Sequence, residues 1–118
     1  MKMRQAKKVL RSDKPQDVKR IIAAINRLGK TPTAIAQNLV KLGFEKGNQR
    51  DPWKCPVCLY LNKLGFSSPY VSVNDLRDSD PNRREFRYEW PEPMKEFQHM
   101  ASEGKILCLG GYVEDDNE

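Results

Sequence analysis

Histidine and cysteine are scarce in this sequence: 118 residues hold one His, His99, and three Cys, Cys55, Cys58 and Cys108. A single histidine excludes the HExxH motif of zinc proteases, and no Ser, His and Asp stand in an order suited to a hydrolytic triad. The 7 glycines form no phosphate-cradling loop. His99 lies between Gln98 and Met100, neither of which supplies the charge that orients a general base. These absences predict a protein that is not an enzyme. No apolar run approaches the roughly 18 residues of a membrane-spanning helix, so no membrane partner is expected. The basic start, Met1 to Lys8, lacks the apolar stretch of about 7–15 residues that follows it in a signal peptide. An odd cysteine count, with two cysteines only two residues apart, suits a reducing compartment better than a disulfide scaffold. The expected location is cytoplasmic.

What the sequence has in quantity is charge. Charged residues make up 31% of the chain and hydrophobic residues 38%, a modest core under a heavily charged surface. The length suits one domain that buries roughly two-thirds of its unfolded surface without covalent staples. The charge is unevenly spread. Residues 1–54 carry 14 Lys/Arg against 4 Asp/Glu, a net of +10, and residues 55–118 carry 7 against 12, a net of −5. Two readings follow: a basic half that faces nucleic acid or an acidic protein surface, or a solvated face that serves solubility.

Periodicity and punctuation outline the elements. A basic arm is expected over residues 1–11. Ser12 and Asp13 are candidate helix caps with Pro15 near the first turn, and Val18, Ile21, Ile22, Ile25 and Leu28 recur at helical spacing up to Gly29. Thr31 and Pro32 open a second helix whose apolar face is Ile35, Leu39, Val40 and Leu42, closed by Gly43. Residues 44–54 read as a polar loop. Pro56 opens a third helix, apolar on most sides, that ends at Gly65. Then the period changes to two. Tyr70 to Val73 reads as a strand, Asn74 to Arg83 as a loop, and Glu85 to Trp90 as a half-buried strand with Phe86, Tyr88 and Trp90 on one face. Pro91 and Pro93 precede a last helix with Met94, Phe97, Met100 and Ala101 at core spacing. Lys105 to Leu109 is a third strand or a packed tail, and residues 114–118 an acidic tail.

The expected fold is α+β: three N-terminal helices, a β-hairpin and a C-terminal helix, within a single domain over residues 12–113. That order is the order of a winged helix-turn-helix domain. In it Pro56 to Leu64 takes the place of the recognition helix and Tyr70 to Trp90 that of the wing, where Arg77, Arg83, Arg84 and Arg87 can reach phosphates. Against DNA reading, the candidate helix offers Val57, Cys58, Leu59, Tyr60 and Leu61, with only Asn62 and Lys63 suited to bases or phosphates. Asp75, Asp78 and Asp80 in the wing repel DNA.

Three constellations carry candidate function. The first is electrostatic docking through Lys7, Lys8, Arg11, Lys19, Arg20 and Arg27, with Arg50, Trp53 and Lys54 in the loop and Arg83 and Arg84 in the wing. Trp53 is a candidate exposed anchor for a partner or a nucleobase, or packs over the start of the third helix. The second is a Cys3His set, Cys55, Cys58, His99 and Cys108, whose donors suit structural zinc; set against it, Cys58 is a small core residue on an apolar helix. The third is a redox pair, Cys55 and Cys58, at a helix N-terminus, although no strand precedes it as in a thioredoxin-like unit.

The segment Cys55-Pro56-Val57, followed by Tyr60-Leu61 and Val71-Ser72-Val73, resembles a family of small uncharacterised bacterial and phage proteins. Their pattern continues into a Pro-opened helix with a central Phe and a downstream Gly, matched by Pro93, Phe97 and Gly104. The resemblance covers roughly residues 31–109 and implies no site. Where the pattern has Ala this chain has Cys58, which favours the core role over a zinc ligand. A phage or mobile-element setting would imply an inhibitor of a host defence system acting by protein–protein binding.

Overall fold

The computed structural model describes residues 9–44, 51, 53–83 and 85–103. Four helices, α1 (Pro15–Arg27), α2 (Pro32–Lys41), α3 (Pro56–Leu64) and α4 (Glu92–Ser102), surround a small antiparallel sheet of β1 (Pro69–Val71), β2 (Asp75–Asp78) and β3 (Arg87–Glu89). The α+β class and the order of three helices, hairpin and helix are as expected. None of the described helices is long and apolar enough to cross a membrane.

Prolines and glycines set the helix ends. Each of the four helices has a proline in its first two positions, where the missing N–H costs nothing and φ is already helical. Thr31 caps α2 by accepting the Ala34 N–H at 3.1 Å. The expected cap of α1 is different: Lys14 holds the N-cap position without a side-chain bond. Ser12 and Asp13 are drawn elsewhere, to Asp78 and Arg11. Gly29 is required twice over between α1 and α2. Its φ is 149°, and a Cβ there would stand 2.9 Å from the Ala34 Cβ. The Asn38 amide donates to the Leu28 carbonyl at 2.6 Å and fastens α2 to the end of α1.

The apolar stripes meet in one core. Ile21, Ile25 and Leu28 of α1 and its end, Ile35 and Leu39 of α2, Val57 and Leu61 of α3, Leu76 of β2, and Met94 and Phe97 of α4 are all fully buried. Packing extends ahead of residue 12. Leu10 is buried, donates its N–H to the Gly65 carbonyl at 2.9 Å, and bridges Phe66 in parallel. The chain before α1 thus lies along the end of α3.

The sheet differs from the expected long hairpin. Asn74 to Arg83, expected as a loop, contains β2, which is the central strand. Its register sets Tyr70 opposite Arg77 and Leu76 opposite Tyr88. The hairpin is therefore a three-stranded meander, and the intervening loop shrinks to residues 79–86 with a 3-10 turn at Pro81–Arg83. Asp is depleted in strands because its side chain competes for backbone hydrogen bonds. Here both strand aspartates find other partners. Asp75 accepts from Ser72, Arg77 and Arg87. Asp78 accepts from Ser12, from Ser68 at 2.7 Å and from the Asp80 N–H at 2.8 Å, beside Arg83 at 3.5 Å. The Trp90 indole closes the sheet by donating to the Ser72 carbonyl at 2.8 Å.

Candidate docking face

Helix α1 turns Ile21, Ala24 and Ile25 inward and leaves Lys19, Arg20, Ala23, Asn26 and Arg27 exposed. Among the described residues, none of Lys19, Arg20 and Arg27 forms an ion pair. Between Arg20 and Arg27 lies an open cleft of about 220 Å³, lined also by Leu10, Ala23, Ala24 and Leu64. Its floor exists because two small side chains, Ala23 and Ala24, sit between the arginines, and because Leu10 is held against the end of α3. At one edge, Tyr60 donates its hydroxyl to the Ala24 carbonyl at 2.7 Å. Burial raises the Tyr60 pKa above its ordinary value, while the adjacent Arg27 guanidinium pulls it the other way.

The other expected docking residues separate into three groups. Arg11 is exposed but spent on Asp13, at 2.9 Å. Arg83 is only 12% exposed in its side chain and is paired internally with Asp78 and Asp80. Arg77 and Arg87 both pair with Asp75. Lys54 is exposed in the turn ahead of α3, and Trp53 is half-exposed with its ring edge-on to Tyr70 at 4.8 Å. Neither lines the cleft on α1. Lys7, Lys8, Arg50 and Arg84 lie outside the described residues.

Recognition of DNA through α3 does not fit this arrangement. Pro56, Val57, Cys58, Tyr60 and Leu61 are buried, so the helix that occupies the recognition position is a core element. A helix that reads base edges has to present its side chains to the groove. Only Asn62 and Lys63 of α3 are exposed.

Cys55 and Cys58 are both buried free thiols. Burial pushes the Cys55 thiol up to about 11, against backbone N–H groups of Cys58 and Val57 that favour the thiolate. Burial, with Cys55 and Asp51 nearby, pushes Cys58 to about 12. A redox nucleophile is favoured by the opposite shift. Cys58 donates to the Trp53 carbonyl at 2.9 Å and so holds the turn before α3. His99 is exposed on α4, and Cys108 lies outside the described residues. Among the described residues, no three His, Cys, Asp or Glu side chains converge as metal ligands.

A second cleft, of about 480 Å³, is lined by Ser12, Asp13, Asn82, Arg83, Glu85 and Phe86. Its charges are largely spoken for, since Asp13 pairs with Arg11 and Arg83 with Asp78 and Asp80. The α1 cleft differs in joining apolar surface to cations that have no acidic partner among the described residues. Sequence reasoning found its rim, Arg20 and Arg27, and missed its floor. Leu10 carries no periodic signal in a basic arm, and Ala23 and Ala24 do not stand out in any helix. No protein family, curated protein or solved structure matches this chain.

Proposed function

We propose that the protein is a small binding module that docks the outer face of α1 onto an acidic protein surface. The observation that supports this is the grouping of Lys19, Arg20 and Arg27 on exposed α1, without ion pairs among the described residues, with Arg20 and Arg27 lining an apolar cleft. Exposed cations steer an acidic partner and raise its association rate. The cleft favours protein over a duplex nucleic acid, whose outer surface is its charged backbone.

The test is fluorescence anisotropy with labelled poly-glutamate, duplex DNA, single-stranded DNA and RNA, from low to physiological salt. The protein and its Arg20→Glu/Arg27→Glu variant are compared. Binding of poly-glutamate that charge reversal abolishes supports the reading. Tighter binding of a nucleic acid, with a steep salt slope and the same sensitivity to reversal, reassigns the face to phosphates. No binding of any probe at low salt, or binding indifferent to the reversal, removes α1 as the docking face.

A further inference from the structure

Resting on the docking face proposed above, the geometry of the cleft points to a narrower partner. We propose that it receives one apolar side chain of an acidic amphipathic helix, whose carboxylates flank that side chain and meet Arg20 and Arg27. Arg20 and Arg27 are two turns apart on one face of α1, a separation of about 10 Å along the axis. Ala23 and Ala24 stand midway between them and open the cleft. A complementary partner therefore carries acid, apolar and acid along one stripe at the same spacing. An α-helix does this with residues at i, i+3 or i+4, and i+7. A strand also puts residues i, i+2 and i+4 on one side, but these span about 13 Å, further than the two arginines are apart. The cleft, at about 220 Å³, exceeds the roughly 150 Å³ that accommodates a benzene ring, so a leucine or phenylalanine side chain fits. This is the helix-in-groove mode of recognition, with one apolar anchor and a charged rim.

The arrangement sorts the roles of the lining residues. Leu10 and Leu64 supply apolar walls from two separate parts of the chain, and Ala23 sets the depth. Arg20 and Arg27 set orientation and exclude basic partners. Arg27 also lies beside the Tyr60 hydroxyl.

The experiment uses the full chain and a labelled synthetic helix with glutamates two turns apart and a leucine midway. Control helices carry serine for the leucine or glutamines for the glutamates. The expected result is saturable 1:1 binding, weakened about tenfold by the serine control and by Ala23→Phe, which fills the cleft from an exposed position without altering charge. Arg20→Glu/Arg27→Glu and the glutamine control also weaken it by about tenfold or more. Circular dichroism and thermal melting of each variant confirm that the fold is kept. Should the leucine and serine helices bind alike and Ala23→Phe have no effect, charge docks on α1 but the cleft is unused. This inference then falls and the docking face stands. If no helix binds and poly-glutamate also fails, both fall. Binding seen only after removal of Glu114 to Glu118 would identify this chain's own acidic terminus as the occupant and overturn a separate partner. A dimer in sedimentation that Ala23→Phe dissociates would do the same in favour of a second copy.

Discussion

The outer face of α1 and the strand β2 are both rich in charge, and they put it to opposite uses. On β2 the carboxylates of Asp75 and Asp78 are buried and fully engaged, by Ser72, Arg77 and Arg87 in one case and by Ser12, Ser68 and Arg83 in the other. On α1 the cations are exposed and, among the described residues, without ion pairs. Removing a partner inside a buried network leaves an uncompensated charge and is costly, whereas changing an exposed charge hardly alters stability. Charge on β2 therefore holds the fold together, and charge on α1 contributes little to it.

The largest test of that contrast is Asp78→Ala. It strips Ser12 and Ser68 of an acceptor and leaves Arg83, 12% exposed, beside Asp80 alone. A loss of about 3 kcal/mol is expected, read from urea unfolding. A loss below about 1 kcal/mol would show that the network is not structural. Next comes Leu10→Ala, expected to cost about 2 kcal/mol because Leu10 seals the core beside Phe66. A neutral result would return this residue to a dispensable arm.

A smaller, graded effect belongs to Asp75. Burial works to raise its pKa, but hydrogen bonds from Ser72, Arg87 and Arg77 prevail and hold it below 3.8. A carboxylate depressed in the folded state contributes stability that is present above its unfolded pKa and lost as pH falls through the folded one. Unfolding free energy should thus decline as pH drops below about 4, and Asp75→Asn should flatten that decline. An unchanged acid limb would mean that other carboxylates govern it. The smallest effect on stability is expected from Arg20→Glu/Arg27→Glu, within about 0.5 kcal/mol per site, even as it abolishes docking. A marked drop in melting temperature would place these arginines among the structural charges, with Arg83.

How much of this was legible beforehand depended on the range of the interaction. The helices could be read because their cause is local. Pro15, Pro32 and Pro56 fit only a first turn, Gly29 and Gly65 take conformations that other residues resist, and Ile21, Ile25 and Leu28 repeat at the helical period. β3 was equally open to reading through Phe86, Tyr88 and Trp90. β2 was not, because Asp-Leu-Arg-Asp has loop composition. Its strand state depends on hydroxyls and guanidinia supplied from elsewhere, Ser12 being 66 residues away from Asp78. The candidate site divides the same way: Arg20 and Arg27 were visible as surface charges, but a cleft formed between α1, Leu10 and Leu64 has no signature in any one segment.

The sequence by itself determined the order of the four helices, most of their ends and the polarity of charge along the chain, since all three follow from backbone sterics, side-chain period and composition. Only the tertiary structure decided which charges remain available. Arg87 looks like Arg20 and Arg27 on paper, and it differs because folding brings Asp75, twelve residues away, to it, whereas Arg20 and Arg27 form no ion pair among the described residues. Coulombic pairing acts over a few ångströms in space whatever the separation in sequence, so the division between paired and exposed charge is settled by the fold.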